Sequence, residues 1–137
     1  MDTDAITLSL ELAGEACPDL SPVVYARLFA QHPEMEAMFI RDTNGAIRGE
    51  MLARVFELIL DFIDRRSYSA HMIQCEVVTH DGYGVPPDVF AIFFGTVRDG
   101  LKQVLAAGWT EAMETAWSEL LEQLDFYVKH PDQSAAA

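Results

Sequence analysis

Basic residues are scarce in this chain. Nine lysines and arginines stand against 22 aspartates and glutamates, for a formal net charge of −13 and a pI near 4.4. A surface of that sign repels phosphate, which argues against nucleic acid as a partner and disfavours an anionic membrane surface. Cysteine is sparse too, with Cys17 and Cys75 alone. Two isolated thiols make no disulfide framework, and without a CxxC motif there is no basis for a thiolate metal cluster or a cysteine-attached cofactor. No apolar run approaches the roughly 20 residues that span a bilayer. The first residues carry acids where a signal peptide carries bases, so a cytoplasmic, reduced setting is expected.

What remains is rich in apolar residues, at 50 % of 137. That is enough for one packed domain with room for a cofactor, expected over residues 1–130, with 131–137 as a disordered tail. Asp2, Thr3 and Asp4 offer capping groups for a first helix, which Cys17-Pro18 breaks. Ser21-Pro22 opens a second helix to about Gln31, and Pro33 begins a short turn of helix through Phe39. Asn44-Gly45 marks a turn. From Ala46 to Arg65, Leu52, Val55, Phe56, Ile59, Phe62 and Ile63 recur on one helical face, with Glu50 and Arg54 as an i,i+4 pair elsewhere. A shorter helix from Ala70 to Thr79 leads to His80. Pro86-Pro87 then opens an amphipathic helix that Gly108 ends, and Thr110 caps the last one, which carries Met113, Trp117, Leu120, Leu121, Leu124 and Val128. The pattern predicts an all-α fold of about seven helices, either a bundle or the globin arrangement.

His80 is the most informative residue. It sits where one helix ends, beside the glycine-containing turn Asp81-Gly82-Tyr83-Gly84 that leads to the next. An imidazole so placed is a candidate axial ligand for haem iron. His71 near the start of the same helix, His32 and His130 compete with it. Each neighbouring candidate has a plainer alternative: Phe39 as a core ring, Tyr25 as a buried phenol bonded to backbone, and Arg48 as a solvent-facing arginine.

Taken together, these residues resemble the globin family, and most closely the single-domain bacterial haemoglobins and the haem domains of flavohaemoglobins. Tyr25-Ala26-Arg27-Leu28-Phe29-Ala30-Gln31-His32-Pro33-Glu34, followed by Met38-Phe39, is similar to their Tyr-x-x-Leu-Phe-x-x-His-Pro-Glu signature. His80-Asp81-Gly82-Tyr83-Gly84-Val85 resembles their proximal-histidine turn, and Trp109-Thr110 with Ala116-Trp117 resembles the start of their final helix. The resemblance implies a three-over-three globin fold and haem b as cofactor. It implies His80 as the iron ligand, Phe39 stacked on the porphyrin, and Phe29, Leu52, Phe56 and Val85 as apolar walls. Tyr25 would direct its hydroxyl at a distal ligand. Arg48 takes the distal position where relatives carry Gln or His, with Gly49 as a small residue at a helix crossing. Its guanidinium turns either outward to a haem propionate, the reading preferred here because an unpaired charge beside the iron is costly, or inward to a ligand.

Two departures bear on function. Flavohaemoglobins buttress the proximal histidine with a tyrosine and a glutamate, but the matching positions here hold Phe90 and, in the tail, Asp132. Glu76 sits one turn before His80 where an apolar residue is usual. It is either a replacement hydrogen-bond partner or, the preferred reading, a solvated side chain on a rotated helix. The expected function is reversible binding of dioxygen or another diatomic gas (NO or CO) at haem iron. The alternatives are a nitric-oxide dioxygenase served by a separate reductase, since no GxGxxG is present, and a globin-fold gas or redox sensor.

Overall fold

The computed structural model describes residues 1–130; the disordered tail expected at 131–137, and with it Asp132, lies outside them. The described residues are all-α, with no strand. The α-helices are α1 (Thr3–Ala16), α2 (Ser21–Gln31), α3 (Ala46–Ile63), α4 (Ser69–Gly82), α5 (Pro87–Leu105) and α6 (Glu111–Lys129). Short 3₁₀ turns at Pro33–Phe39 and Ala106–Gly108 complete it. None of these helices is long and apolar enough to cross a membrane.

Local chemistry sets most boundaries. The Asp2 carboxylate accepts from Ala5 N–H at 3.0 Å, and Thr110 Oγ1 accepts from Met113 N–H at 3.2 Å, so α1 and α6 each begin on a side-chain cap. Gly45 is left-handed at φ 74°, a conformation glycine adopts without strain, and it precedes α3 directly. The Glu50–Arg54 pair forms at 3.0 Å.

Three ends differ from the expected ones. Helix α3 stops at Ile63, two residues before Arg65. Arg66 there is left-handed at φ 54°, held by stacking 3.8 Å over Phe62 and by a 2.9 Å bond to Gln123 on α6. The Asp61 carboxylate accepts from the backbone N–H groups of Ser67, Tyr68 and Ser69 at 2.9–3.1 Å, which turns the chain into α4. Helix α4 therefore runs through Gly82, and His80 lies inside its last turn instead of beyond its end. Helix α5 stops at Leu105, ahead of Gly108, where the chain tightens into a 3₁₀ turn with Ala106 at φ 49°.

Helices α1, α5 and α6 pack on one another, α2 lies against α5, and α4 bridges α3 to α5 and α6. Their shared core is apolar and closed: Ile6, Leu101, Met113, Trp117, Leu120 and Leu124 are fully buried. The close helix crossing is at Gly100, where an added Cβ would stand 3.0 Å from Val24 Cγ2. Gly49, expected where α2 and α3 cross, does face α2, with an added Cβ at an ordinary 3.8 Å from Ser21 Oγ.

One polar bond lies inside this core. The Trp117 indole donates to Ser9 Oγ at 2.9 Å, and Ser9 donates to the Ile6 carbonyl at 2.6 Å. Both side chains are fully buried, so an orphaned indole N–H has no water to turn to. Ser9→Ala is expected to destabilise the protein by about 1–3 kcal/mol, measured by denaturant unfolding followed by tryptophan fluorescence. A change within a few tenths of a kcal/mol would show that the indole finds another acceptor.

Candidate functional site

Burial is incomplete on several helix faces, and most of the residues that the sequence assigned to a site are among those only part-covered. Along α5, Phe94, Val97, Gly100 and Leu101 are buried, but Val89, Phe90 and Phe93 in the first half are only half-buried. The same holds for Val55 and Phe56 on α3, for Phe39, and for Phe29 at the end of α2. These rings and branched side chains thus stand part-covered. His80 and Val85 are half-buried as well.

His80 is oriented by its own helix. Its Nδ1 lies 2.8 Å from the Glu76 carbonyl oxygen. A carbonyl can only accept, so Nδ1 carries a proton, and in the neutral ring Nε2 is the lone-pair nitrogen. Among the described residues Nε2 has no hydrogen-bond partner. Phe90 packs on the ring, centroids 4.9 Å apart at 58°, so the position behind the imidazole is apolar as the sequence indicated. The Val85 N–H donates to the His80 carbonyl at 2.9 Å and closes the turn after α4. Glu76 is partly solvated, as preferred, yet its carboxylate is also 3.5 Å from Nδ1.

Tyr25 is the centre of an aromatic cluster. Its ring lies 5.9 Å from Phe29, 5.5 Å edge-on from Phe39 and 5.6 Å from Phe93, and Phe29 is 5.7 Å from Phe39. The hydroxyl donates to the Arg48 carbonyl at 3.1 Å, tying α2 to the first turn of α3. Burial drives this phenol above its ordinary range, outweighing the lowering by Arg48, so it is neutral at physiological pH and able to donate. Leu52, one turn on from Arg48, is buried in the core, and Phe56 another turn on is half-exposed.

The Arg48 guanidinium is engaged inside its own loop. Its Nε is 3.1 Å from the Asp42 carboxylate, and its terminal nitrogen donates to the Asp42 carbonyl at 3.0 Å. Asp42 also accepts from the Ile47 and Arg48 backbone N–H groups, both at 3.0 Å. One buried carboxylate therefore caps α3, neutralises Arg48 and fixes the loop from residue 40 to 45. Sequence reading named Arg48 but not Asp42. The available signal was an acid just ahead of a helix start, obscured by the Asn-Gly turn that separates it from Ala46.

Burial pushes the Asp42 carboxyl up, but the two N–H groups and the guanidinium outweigh it and hold the carboxyl below its usual value. A lowered folded-state pKa contributes stability above the unfolded value, about pH 4, and loses it as pH falls through the folded one. Asp61 and Glu114 are lowered likewise, and share the effect. Asp42→Asn is therefore expected to flatten part of the loss of thermal stability below pH 4. A parallel acid leg in wild type and variant would remove Asp42 from the account.

The described site residues fall into two sets: Tyr25, Phe29, Phe39 and Phe93 as one cluster, and His80 with Phe90 as another, both reaching α5. A globin family model matches residues 23–126, from α2 to α6. No curated protein and no solved structure gives a significant match.

Proposed function

Because the chain belongs to the globin family, whose members bind haem and through it diatomic gases, we propose that it holds haem b and reversibly binds dioxygen or a related diatomic ligand. The observation that carries this reading is the state of His80: Nδ1–H is committed to a carbonyl, Nε2 is a lone pair without a partner, and half-covered apolar side chains stand at this end of the fold. That donor set suits a flat apolar group with a metal centre open to one imidazole. Haem b, when bound, supplies the iron at which a diatomic ligand is held.

The chain's own residues supply the rest. His80 presents a single tautomer and cannot rotate without breaking its bond to Glu76. Phe39, Phe56 and Val85 offer part-covered apolar surface, with Phe29 beside Phe39 and Leu52 buried in the core. Tyr25 is a neutral donor on the α2 side, although its hydroxyl must leave the Arg48 carbonyl to reach a ligand. Arg48 carries no uncompensated charge, since Asp42 already faces it, so it can stand at the distal position without the penalty of a bare buried cation. We propose the domain as residues 1–130.

Adding haem to the apo-protein should produce a Soret band with clean ferric, reduced and oxygenated spectra. Absence of that band would overturn the reading. His80→Gly should lose the native spectrum and regain it with millimolar imidazole, whereas a spectrum unchanged by the substitution would move the ligand role to another residue.

Tyr25→Phe should raise the ligand dissociation rate by roughly tenfold, the weight of one hydrogen bond to a partly charged acceptor. An unchanged rate, by stopped-flow or flash photolysis, would leave Tyr25 as a strut between α2 and α3.

A further inference from the structure

Two different atoms of Glu76 face the imidazole of His80. The main-chain oxygen lies 2.8 Å from Nδ1, and carboxylate Oε2 lies 3.5 Å from that same nitrogen. The carbonyl alone accounts for the tautomer and the ring angle. The carboxylate adds something a carbonyl cannot, a full negative charge beside the Nδ1 proton. We propose that Glu76 is a positioning residue for His80, its carboxylate charge lying 3.5 Å from Nδ1 without accepting its proton and, through space, making Nε2 a stronger electron donor to a metal.

The surroundings leave that charge in force. Glu76 has no lysine or arginine ion pair among the described residues. Arg54 on α3 lies within electrostatic range of it, but is held by Glu50 at 3.0 Å. From α5, the ring against His80 is Phe90, which offers no competing polar group. The carbonyl accepts the Nδ1 proton, and a negative charge beside that bond polarises the N–H further, which makes the imidazole more basic at its other nitrogen. The buttress missing at Phe90 is thus supplied from within α4 itself. Because the Glu76 side chain is 44 % exposed, solvent screening keeps the effect to that of a partly exposed charge pair.

This inference rests on His80 being the haem ligand. The test compares Glu76→Gln with Glu11→Gln, which removes the same charge from α1, a helix that packs on α5 and α6. In the haem-loaded protein, Glu76→Gln should shift the ferric–ferrous equilibrium toward the ferrous form by about two- to fivefold, read by spectroelectrochemistry, and lower the iron–histidine stretching frequency. In the haem-free protein it should move the Nδ1–H resonance of His80 upfield. Equal behaviour of the two variants in these measurements would overturn the role of Glu76 while leaving the haem reading intact. Failure of the wild-type protein to give a Soret band would overturn both, and is seen with no variant at all. The apo-protein resonance keeps the comparison decisive if Glu76→Gln takes up haem poorly.

Discussion

The hydrogen bond from His80 Nδ1 to the Glu76 carbonyl is the interaction on which the functional reading depends. It forms only because α4 continues through His80, so that the ring reaches the carbonyl one turn back. A helix ending at Thr79 would have left the imidazole on a loop, with both nitrogens free and no defined tautomer. The start of α4 is fixed separately. Asp61 collects three backbone N–H groups there, and Arg66, clamped to Phe62 and Gln123, sets the direction of the chain into it. The two ends of α4 are thus set by different contacts, a carboxylate near the end of α3 and a carbonyl one turn before His80.

A similar economy operates across the α3 entry. Asp42 caps the helix, neutralises Arg48 and anchors the loop that follows Phe39. Tyr25 then attaches to the Arg48 carbonyl, so the aromatic cluster and the loop share one backbone segment. Displacing either side chain disturbs the other's partner. A ligand-dependent movement of Tyr25 would therefore be felt in the first turn of α3 before anywhere else.

Much of this was legible in the residue order. The helical faces of α3, α5 and α6 follow from periodicity, and caps at Asp2 and Thr110 from side-chain chemistry. His80, Tyr25 and Phe39 were identifiable because their order and spacing agree with a family pattern. What escaped was chemistry that acts over short but irregular separations. Asp42 reaches Arg48 across a turn whose path depends on Gly45, and Arg66 stabilises a left-handed backbone through partners on α6 some sixty residues on. The tight approach of α2 to α5 at Gly100 escaped too, because the sequence shows which residues are small but not which helix meets them. The direction of Arg48 was open for the same reason: its partner is set by the loop fold, and the choice between propionate and ligand did not include it.

The contrast between fully buried and half-covered side chains gives the site its energetic logic. Trp117, Leu120, Leu124, Met113 and Leu101 are fully buried, and the Trp117 indole N–H is satisfied. Val55, Phe56, Val89, Phe90 and Phe93 stay half-covered, with Phe90 against His80 and Phe93 against Tyr25. Each leaves part of the roughly 1.5–3 kcal/mol of a buried apolar side chain unrealised. A group that covers them binds the folded chain and not the unfolded one, so it must raise stability in proportion to its occupancy. The fully buried core carries the fold by itself, while the half-covered side chains hold apolar surface still open to burial. Along α5 the two conditions meet within one turn, where half-buried Phe90 and Phe93 are followed by buried Phe94.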